Sequence, residues 1–216
     1  MFCRTCRGPA GAGYARCYQC DLALSQAGGL LADAVAPIGL AVRGGPLAGD
    51  LRRYKSDRAA GAPEAAERLE GSLAGFLRDK GDALWREAGM SAGPSAVAVV
   101  PSGQGRPGAH PLVSIVRSCV SLPLIRLSIV PGVIHVRGVD ADWLRVTGSV
   151  AGADVLVVDD TWVSGGSAQS AAAALRLAGA RRVAIVVLGR HVNPAHPPSA
   201  RFLAALGDEG RRGNFL

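Results

Sequence analysis

Two adjacent aspartates, Asp159 and Asp160, directly follow four apolar residues at positions 155–158. An apolar run of this length, bounded by turn residues, is typical of a buried strand in a parallel sheet. Open α/β sheets bind ligands beyond the carboxyl ends of their strands, which is where these two side chains would lie. The pair is therefore predicted to bind either a metal ion or the hydroxyl groups of a sugar.

A loop of small residues comes shortly after the acidic pair and consists of Val163, Ser164, Gly165, Gly166 and Ser167. The loop opens an alanine-rich helix, so its backbone N–H groups and the positive end of the helix dipole converge on one spot. Such a spot favours a phosphate group. Carboxylates beside a phosphate site describe a receptor for a sugar phosphate, and an ordinary strand–turn–helix unit is the alternative.

Four cysteines near the N-terminus form two CxxC pairs, Cys3 with Cys6 and Cys17 with Cys20. Each pair can direct two thiolates at one ion, and the two pairs together complete a tetrahedral site of four sulfurs. Structural zinc is the preferred hypothesis, a rubredoxin-type iron centre is a second, and a pair of disulfides is a third. Cys119 lies in an apolar stretch and is predicted to be a core residue.

The acidic pair and the loop resemble the phosphoribosyl-pyrophosphate (PRPP) signature of the type I phosphoribosyltransferases. The cysteine pairs ahead of this signature narrow the resemblance to the ComF-type phosphoribosyltransferase-like family. In the type I enzymes the acidic pair holds the ribose hydroxyls and the loop binds the 5′-phosphate. The resemblance implies that Asp159 and Asp160 hold the ribose, that Mg²⁺ accompanies PRPP, and that the phosphate lies against Thr161, Val163, Ser164, Gly165, Gly166 and Ser167.

A second glycine-rich loop follows the predicted strand 96–100 and contains Ser102, Gly103, Arg106 and His110. Family members hold the pyrophosphate group with a loop in this position. The resemblance implies that Ser102 and Gly103 contact PRPP and that Arg106 steadies pyrophosphate. The usual ComF-type loop is richer in arginine, and a surface turn is the alternative interpretation.

Tyr54 and Lys55 end a basic segment where ComF-type proteins carry a lysine-containing motif. The resemblance places them in a hood over the site, and a solvated basic helix end is the alternative. Val163 stands where purine-salvage members of the family carry an aspartate that acts as a base toward the purine. Hypoxanthine–guanine salvage is therefore not expected.

The implied reaction is displacement at ribose C1, in which pyrophosphate leaves and an unidentified nucleophile attacks. Asp159, Asp160 and Arg106 are the predicted catalytic residues. A second hypothesis is a PRPP hydrolase. A third is a non-catalytic PRPP- or nucleotide-binding protein linked to DNA uptake or regulation, which would contact DNA through the ribbon and Arg52, Arg53 and Lys55.

The chain has 216 residues, 49% of them hydrophobic, which suffices for one α/β domain and a small appendage. Alternating strand and helix patterns predict a parallel sheet with helices on both faces, and the resemblance implies a type I phosphoribosyltransferase core. The predicted division is a zinc ribbon at 1–24, a connector or hood segment at 25–62, and the core with a C-terminal cover at 63–216.

The formal net charge of +7 suits an anionic ligand and also permits nucleic-acid contact. No apolar run reaches the roughly 20 residues that span a bilayer, and the start of the chain has no basic-then-apolar signal segment. We therefore expect a cytoplasmic protein without a membrane partner. A homodimer stays an open hypothesis.

Local patterns also predict the secondary structure around these motifs. Helices are expected at 47–55, 63–88, 112–120 and 200–206, and after the signature until Gly179. Strands are expected within 30–45 and at 96–100, 124–129, 133–137 and 182–189.

Overall fold

The structure is a computed structural model that describes residues 2–56, 59–102, 110–133 and 138–211. The strands are β1 (Ala34–Val42), β2 (Ala96–Val99), β3 (Leu124–Ile129), β4 (Leu144–Thr147), β5 (Asp154–Trp162) and β6 (Arg182–Val192). The helices are α1 (Tyr18–Ala27), α2 (Pro46–Arg53), α3 (Ala62–Glu87), α4 (Pro111–Cys119), α5 (Gly166–Leu177) and α6 (Pro197–Arg211). Short 3-10 helices lie at Gly28–Leu30 and Ala141–Trp143.

The six strands form one sheet in the order β1-β6-β5-β2-β3-β4. Neighbouring strands run parallel except for β3 and β4, which are antiparallel. Parallel neighbours need crossover connections, and α4 supplies the one from β2 to β3 whereas α5 supplies the one from β5 to β6. The predicted α/β class is confirmed, and the predicted parallel sheet is observed except for its antiparallel edge strand β4.

The central strand β5 alternates between two hydrophobic cores, one on each face of the sheet. Val155 and Val157 face the core that contains α5, whereas Leu156 and Val158 face the core beneath α2, α3 and α4. All four side chains are fully buried, which explains why the sequence is uniformly apolar here. The predicted placement of helices on both faces is confirmed.

Helix α3 covers one of these faces with an apolar stripe that recurs at helical spacing. Leu69, Leu73, Phe76 and Leu84 are all buried against the sheet. Proline stands in the first turn, where its missing N–H costs nothing, and Gly89 follows the helix with φ of 71°. The predicted helix at 63–88 is confirmed.

The cysteine-rich N-terminal segment packs on the opposite face, beside α5. Cys3, Cys6 and Cys20 share a core with the alanines of α5, whose small side chains allow close approach. The Phe2 ring meets Phe202 of α6 edge-on, with centroids 5.2 Å apart. The segment is therefore docked on the sheet domain through apolar contacts.

Two elements were not predicted from the sequence. Helix α1 begins directly after Cys17, within the expected ribbon, and β4 adds an antiparallel edge strand. The strand hypothesis for 133–137 falls outside the described residues beyond Val133. Within the ranges that the structure describes, no helix is both long and apolar enough to cross a bilayer.

Candidate functional site

The acidic pair lies at the carboxyl end of β5, which continues through Asp159 and Asp160 to Trp162. Strand β2 ends at the same edge, because Val99 pairs with Val158. Asp160 is buried, with 7% of its surface exposed, whereas Asp159 is partly buried. The two carboxylates thus lie where ligands bind in open parallel sheets.

A cleft of about 730 Å³ opens at this edge and contains both aspartates. Its lining includes seven of the residues predicted from the sequence, namely Lys55, Ser102, Asp159, Asp160, Thr161, Val163 and Ser167. Tyr54 is buried and reaches Asp160 from behind. Gly103 and Arg106, the predicted pyrophosphate contacts, lie outside the described residues.

Asp160 is the centre of the polar contacts in the cleft. The Tyr54 hydroxyl donates to its Oδ2 at 2.5 Å, and the Lys55 ammonium approaches the same oxygen at 2.5 Å. His110 Nε2 lies 4.0 Å from it. Because these contacts all use Oδ2, the other oxygen of Asp160 has no donor among the residues that the structure describes.

His110 caps the N-terminus of α4, and this contact fixes its tautomer. Its Nδ1 accepts a hydrogen bond from the Leu112 backbone N–H at 3.1 Å. A neutral imidazole that accepts at Nδ1 carries its proton on Nε2, the atom that faces Asp160. His110 can therefore donate to a ligand atom beside that carboxylate.

The loop between β5 and α5 is shaped by one aromatic side chain and one glycine. Trp162 is buried beneath the loop, with 2% of its surface exposed, so it packs under the loop rather than facing the cleft. Gly165 precedes α5 with φ of 88°, and a Cβ built there would overlap three carbon atoms of the Trp162 indole. Ser164 Oγ accepts from the Gly166 N–H at 3.3 Å. Gly165 and Gly166 thus carry no side chain that would block the backbone N–H groups at the start of α5, although the Ser164 hydroxyl already occupies the Gly166 N–H.

Three further basic residues line the cleft, namely Arg43, Arg52 and His191. Arg43 directly follows β1 and His191 lies near the end of β6, so both occupy the carboxyl edge of the sheet. The available signal was positional, since each stands at the end of a predicted strand. Arg52 had been grouped with Arg53 and Lys55 as a DNA contact. Lys55 instead faces Asp160.

The four N-terminal cysteines converge as their spacing predicts. Their Sγ atoms all lie within 4.8 Å of one another, and Cys6 and Cys17 are 3.8 Å apart. Tetrahedral zinc with Zn–S bonds of about 2.3 Å requires S–S distances of about 3.8 Å. All four thiols are free, so the disulfide hypothesis is wrong. Cys119 is also free and donates to the Glu70 carbonyl at 3.6 Å.

The charge state of this cluster also favours a bound cation. Hydrogen bonding by the Cys17 thiol lowers the pKa of Cys6 to about 6, and hydrogen bonding with Cys17 raises the pKa of Cys20. One or two thiolates can form in the cluster, but the remaining thiols resist ionisation beside them. Four thiolates therefore require a cation such as Zn²⁺ to offset their charge.

Solved structures that resemble this chain include several phosphoribosyltransferases and a PRPP synthetase. Adenine phosphoribosyltransferase from Leishmania tarentolae is 15% identical, with 82% of this chain and 88% of that chain covered and a TM-score of 0.42. Orotate phosphoribosyltransferase from Mycobacterium tuberculosis, in complex with PRPP, is 19% identical, with 73% and 84% covered and a TM-score of 0.34. PRPP synthetase from Mycobacterium smegmatis is 22% identical, with 60% of this chain and 36% of that chain covered and a TM-score of 0.35.

Neither a protein-family model nor a curated protein matches the chain. Likenesses with TM-scores below 0.5 do not establish an activity. The chemistry of this site therefore has to be derived from the residues of this chain.

Burial raises the pKa of Asp159 to about 8, and the negative charge of Asp160 adds to the effect. Lys55 acts in the opposite sense but more weakly, because its ammonium is paired with Asp160. At neutral pH the pair therefore shares a proton, and a cation or a hydrogen-bond donor that binds here displaces it.

Because the folded protein holds this proton more tightly than the unfolded chain does, we expect the protein to become less stable as pH rises. Between about pH 4 and about pH 8 the folded state retains a proton on Asp159 that the unfolded chain releases, so the free energy of unfolding falls through this window. Asp159→Asn removes the titration. The melting temperature of the variant relative to wild type should increase from about pH 5 to about pH 8. A difference that stays constant with pH would contradict the raised pKa.

Gly165→Ala tests the packing of the loop over Trp162. The added methyl group would overlap the indole and stand at a positive φ, so the loop must shift. We expect a loss of about 1–3 kcal/mol of stability and a weaker phosphate site, measured by thermal unfolding and phosphate titration. Gly44→Ala is the matched control, since Gly44 has φ of 87° and open space around its Cβ. Equal losses in the two variants would show that Trp162 does not shape the loop.

Proposed function

We propose that this protein is a PRPP-dependent phosphoribosyltransferase whose acceptor is not identified. The observation that carries the proposal is the shared cleft, in which two carboxylates at the end of β5 stand beside the loop that opens α5. A sugar phosphate needs both kinds of group in one site, carboxylates for its hydroxyls and backbone N–H groups for its phosphate. The signature resemblance and the geometry of the cleft support the same ligand.

In this proposal, the 5′-phosphate lies at the N-terminus of α5. Backbone N–H groups of Ser164, Gly165 and Ser167 bind it there, together with the helix dipole, whereas the Gly166 N–H donates to the Ser164 hydroxyl. The ribose 2′- and 3′-hydroxyls donate to Asp159 and Asp160, which are separated from the loop by two residues. The size of the cleft, about 730 Å³, suits PRPP together with a small acceptor.

Mg²⁺ would be held by PRPP oxygens with Asp159 and Asp160, whose carboxylates are the oxygen donors that this ion prefers. Bound there, it would neutralise the charge that develops on the departing pyrophosphate. The protein itself positions the ribose and supplies fixed positive charge. Lys55, Arg43 and Arg52 line the cleft and provide that charge near the reacting centre.

The second loop completes the proposed site. Ser102 lines the cleft, and the resemblance to the family assigns Gly103 and Arg106, the residues that follow it in the sequence, to PRPP and its pyrophosphate group. His110 at the other end of the loop presents Nε2 toward Asp160. Val163 is 60% exposed at the mouth of the phosphate loop and offers no base, which favours an acceptor that is already a competent nucleophile.

We also propose that the cysteine cluster binds structural zinc and that the chain is a ComF-type protein. The first proposal rests on four converging thiols with no open position for a substrate. The second rests on the order of a CxxC pair, a second CxxC pair and the signature loop along the chain. Iron in place of zinc would be identified by metal analysis and by its visible absorption.

The decisive test is titration of the zinc-loaded protein with PRPP and Mg²⁺, with and without a panel of bases, amines and ammonia. We expect PRPP to raise the melting temperature and pyrophosphate to appear only when a suitable acceptor is present. Ribose 5-phosphate, which lacks the leaving group, is the control for binding without reaction. No thermal shift with PRPP at millimolar concentration would refute the proposal.

The same titration separates the two rival functions. A PRPP hydrolase would release pyrophosphate without any acceptor. A sensor would bind PRPP and release nothing with any acceptor. DNA binding predicts retention that falls steeply with salt and that weakens when Arg52 and Arg53 are replaced.

A further inference from the structure

Arg190, on β6, holds the start of the phosphate loop from beneath. It is buried, with 8% of its surface exposed, and it pairs with Trp162 in the register of β5 and β6. Its Nη1 donates to the carbonyl oxygens of Trp162 and Val163, each at 3.0 Å, and to that of His191 at 2.8 Å. One guanidinium nitrogen therefore fixes two successive peptide groups of the loop.

These two hydrogen bonds decide where the loop N–H groups point. In a trans peptide the C=O and the N–H lie on opposite sides of the same plane. Because the carbonyls of Trp162 and Val163 face Arg190, the N–H groups of Val163 and Ser164 face the other way. Val163 lines the cleft on that side. Arg190 thus directs two donors toward the proposed phosphate position.

The other side of Arg190 lies against the first CxxC pair. A Cβ built at Gly8 would be 2.7 Å from Nε and 2.9 Å from Nη2 of Arg190, so the backbone of Gly8 rests on the guanidinium. Gly8 is in turn held by the cysteine turn, because the Cys3 N–H donates to its carbonyl at 2.8 Å. A continuous series of contacts therefore runs from Cys3 through Gly8 and Arg190 to Val163.

Within the described part of the chain, no carboxylate pairs with Arg190 to balance its charge. Among the residues that the structure describes, Arg190 forms no ion pair and its Nε has no hydrogen-bond partner. A buried cation without a counter-charge is costly. Four thiolates with one Zn²⁺ would carry a formal charge of about −2 on one side of Arg190, and a bound phosphate would supply negative charge on the other.

We infer that Arg190 is a positioning residue that couples the cysteine cluster to the phosphate loop, so that metal in the cluster holds the loop ready for phosphate. The phosphate part of this inference rests on the proposed function. Loss of metal would free the Cys3–Gly8 turn, release the guanidinium and loosen the carbonyls of Trp162 and Val163. The cluster would then govern ligand affinity from outside the cleft.

Gly8→Ala tests the coupling without touching a cysteine or the loop. The methyl group would displace the guanidinium, and Gly8 has no left-handed φ that would oppose alanine. Gly11→Ala is the matched control in the same segment, because a Cβ built there meets only the edge of the Tyr14 ring, which is 70% exposed. Metal content is measured for each variant, so that a loss of the ion is not mistaken for a loss of coupling. Arg190→Lys is a second variant, which keeps the positive charge but lacks the forked guanidinium group.

The readouts are amide hydrogen exchange of residues 162–167 and the dissociation constant for inorganic phosphate. With metal retained, Gly8→Ala should speed exchange in the loop and weaken phosphate binding about fivefold or more, whereas Gly11→Ala should match wild type. Removing the metal from wild type should have the same effect. Unchanged exchange and affinity in both Gly8→Ala and the metal-free protein overturn the inference. If wild type binds neither phosphate nor PRPP, the proposed function fails. Amide hydrogen exchange of residues 162–167 then decides by itself whether the cysteine cluster is coupled to the loop.

Discussion

Asp160→Asn is expected to weaken PRPP binding about 10- to 100-fold, because a hydrogen bond to a charged group contributes about 1.5–3 kcal/mol. The carboxylate offers Oδ1 to a ligand while Lys55 and Tyr54 occupy Oδ2. An amide keeps the shape but loses the charge, and one of its two positions becomes a donor. The double variant with Asp159→Asn should show no measurable binding. The measurement is calorimetric titration of each variant with PRPP and Mg²⁺.

The control for this substitution has to break a buried ion pair elsewhere on the same strand. Asp154 opens β5, is 3% exposed and receives two hydrogen bonds from Arg181, at 2.9 and 2.5 Å. Asp154→Asn should therefore lower the melting temperature without changing PRPP affinity. If both variants lose stability but Asp160→Asn binds PRPP as wild type does, the assignment of the ribose site is wrong.

The contiguous part of the site could be predicted from the sequence because its chemistry is encoded locally. The apolar run of β5, the two aspartates and the small-residue loop stand next to one another in the chain. A parallel strand that is buried on both faces must end in a turn, so polar residues at that point are conspicuous. The structure brings these segments to one cleft with Ser102 and Lys55.

The non-local part of the site could not be predicted in the same way. Arg43 directly follows β1 and Arg190 belongs to β6, and β6 lies beside β5, with β1 beside β6, only through the order of strands in the sheet. Nothing near Arg190 in the sequence shows that it lies beneath the loop. Its partners are backbone carbonyls, which carry no residue-type signal.

Helix α1 was missed for a related reason. Its sequence has a weak apolar stripe, and its N-terminal residue Cys17 makes no side-chain cap hydrogen bond. Only Cys20 and Ala23 are buried along its length. The helix is held by the cysteine cluster and its contact with the sheet domain rather than by local propensity. The short strand β4 likewise depends on pairing with β3.

Removing the metal is expected to have the largest effect on stability. Three of the four cysteines are buried in the core shared with α5, and without a cation the Cys20 thiol must remain protonated in a space shaped for four thiolates. A structural metal site contributes several kcal/mol, and each kcal/mol corresponds to about 2–4 °C for a chain of this size. We therefore expect a chelator to lower the melting temperature by about 10 °C or more, and added Zn²⁺ to restore it.

Cys6→Ser and Cys119→Ser form the matched pair for this prediction. Cys6 contributes one of the four converging sulfurs, whereas Cys119 is a free thiol that donates only to the Glu70 carbonyl on the other side of the sheet. Cys6→Ser should reproduce the loss caused by the chelator, with rapid hydrogen exchange in residues 2–30, and should no longer respond to it. Cys119→Ser should keep both its metal and its melting temperature. Because the six-stranded sheet has its own cores on both faces, it should stay folded in either variant. Equal melting temperatures for the two variants would mean that the cluster does not hold the N-terminal segment in place.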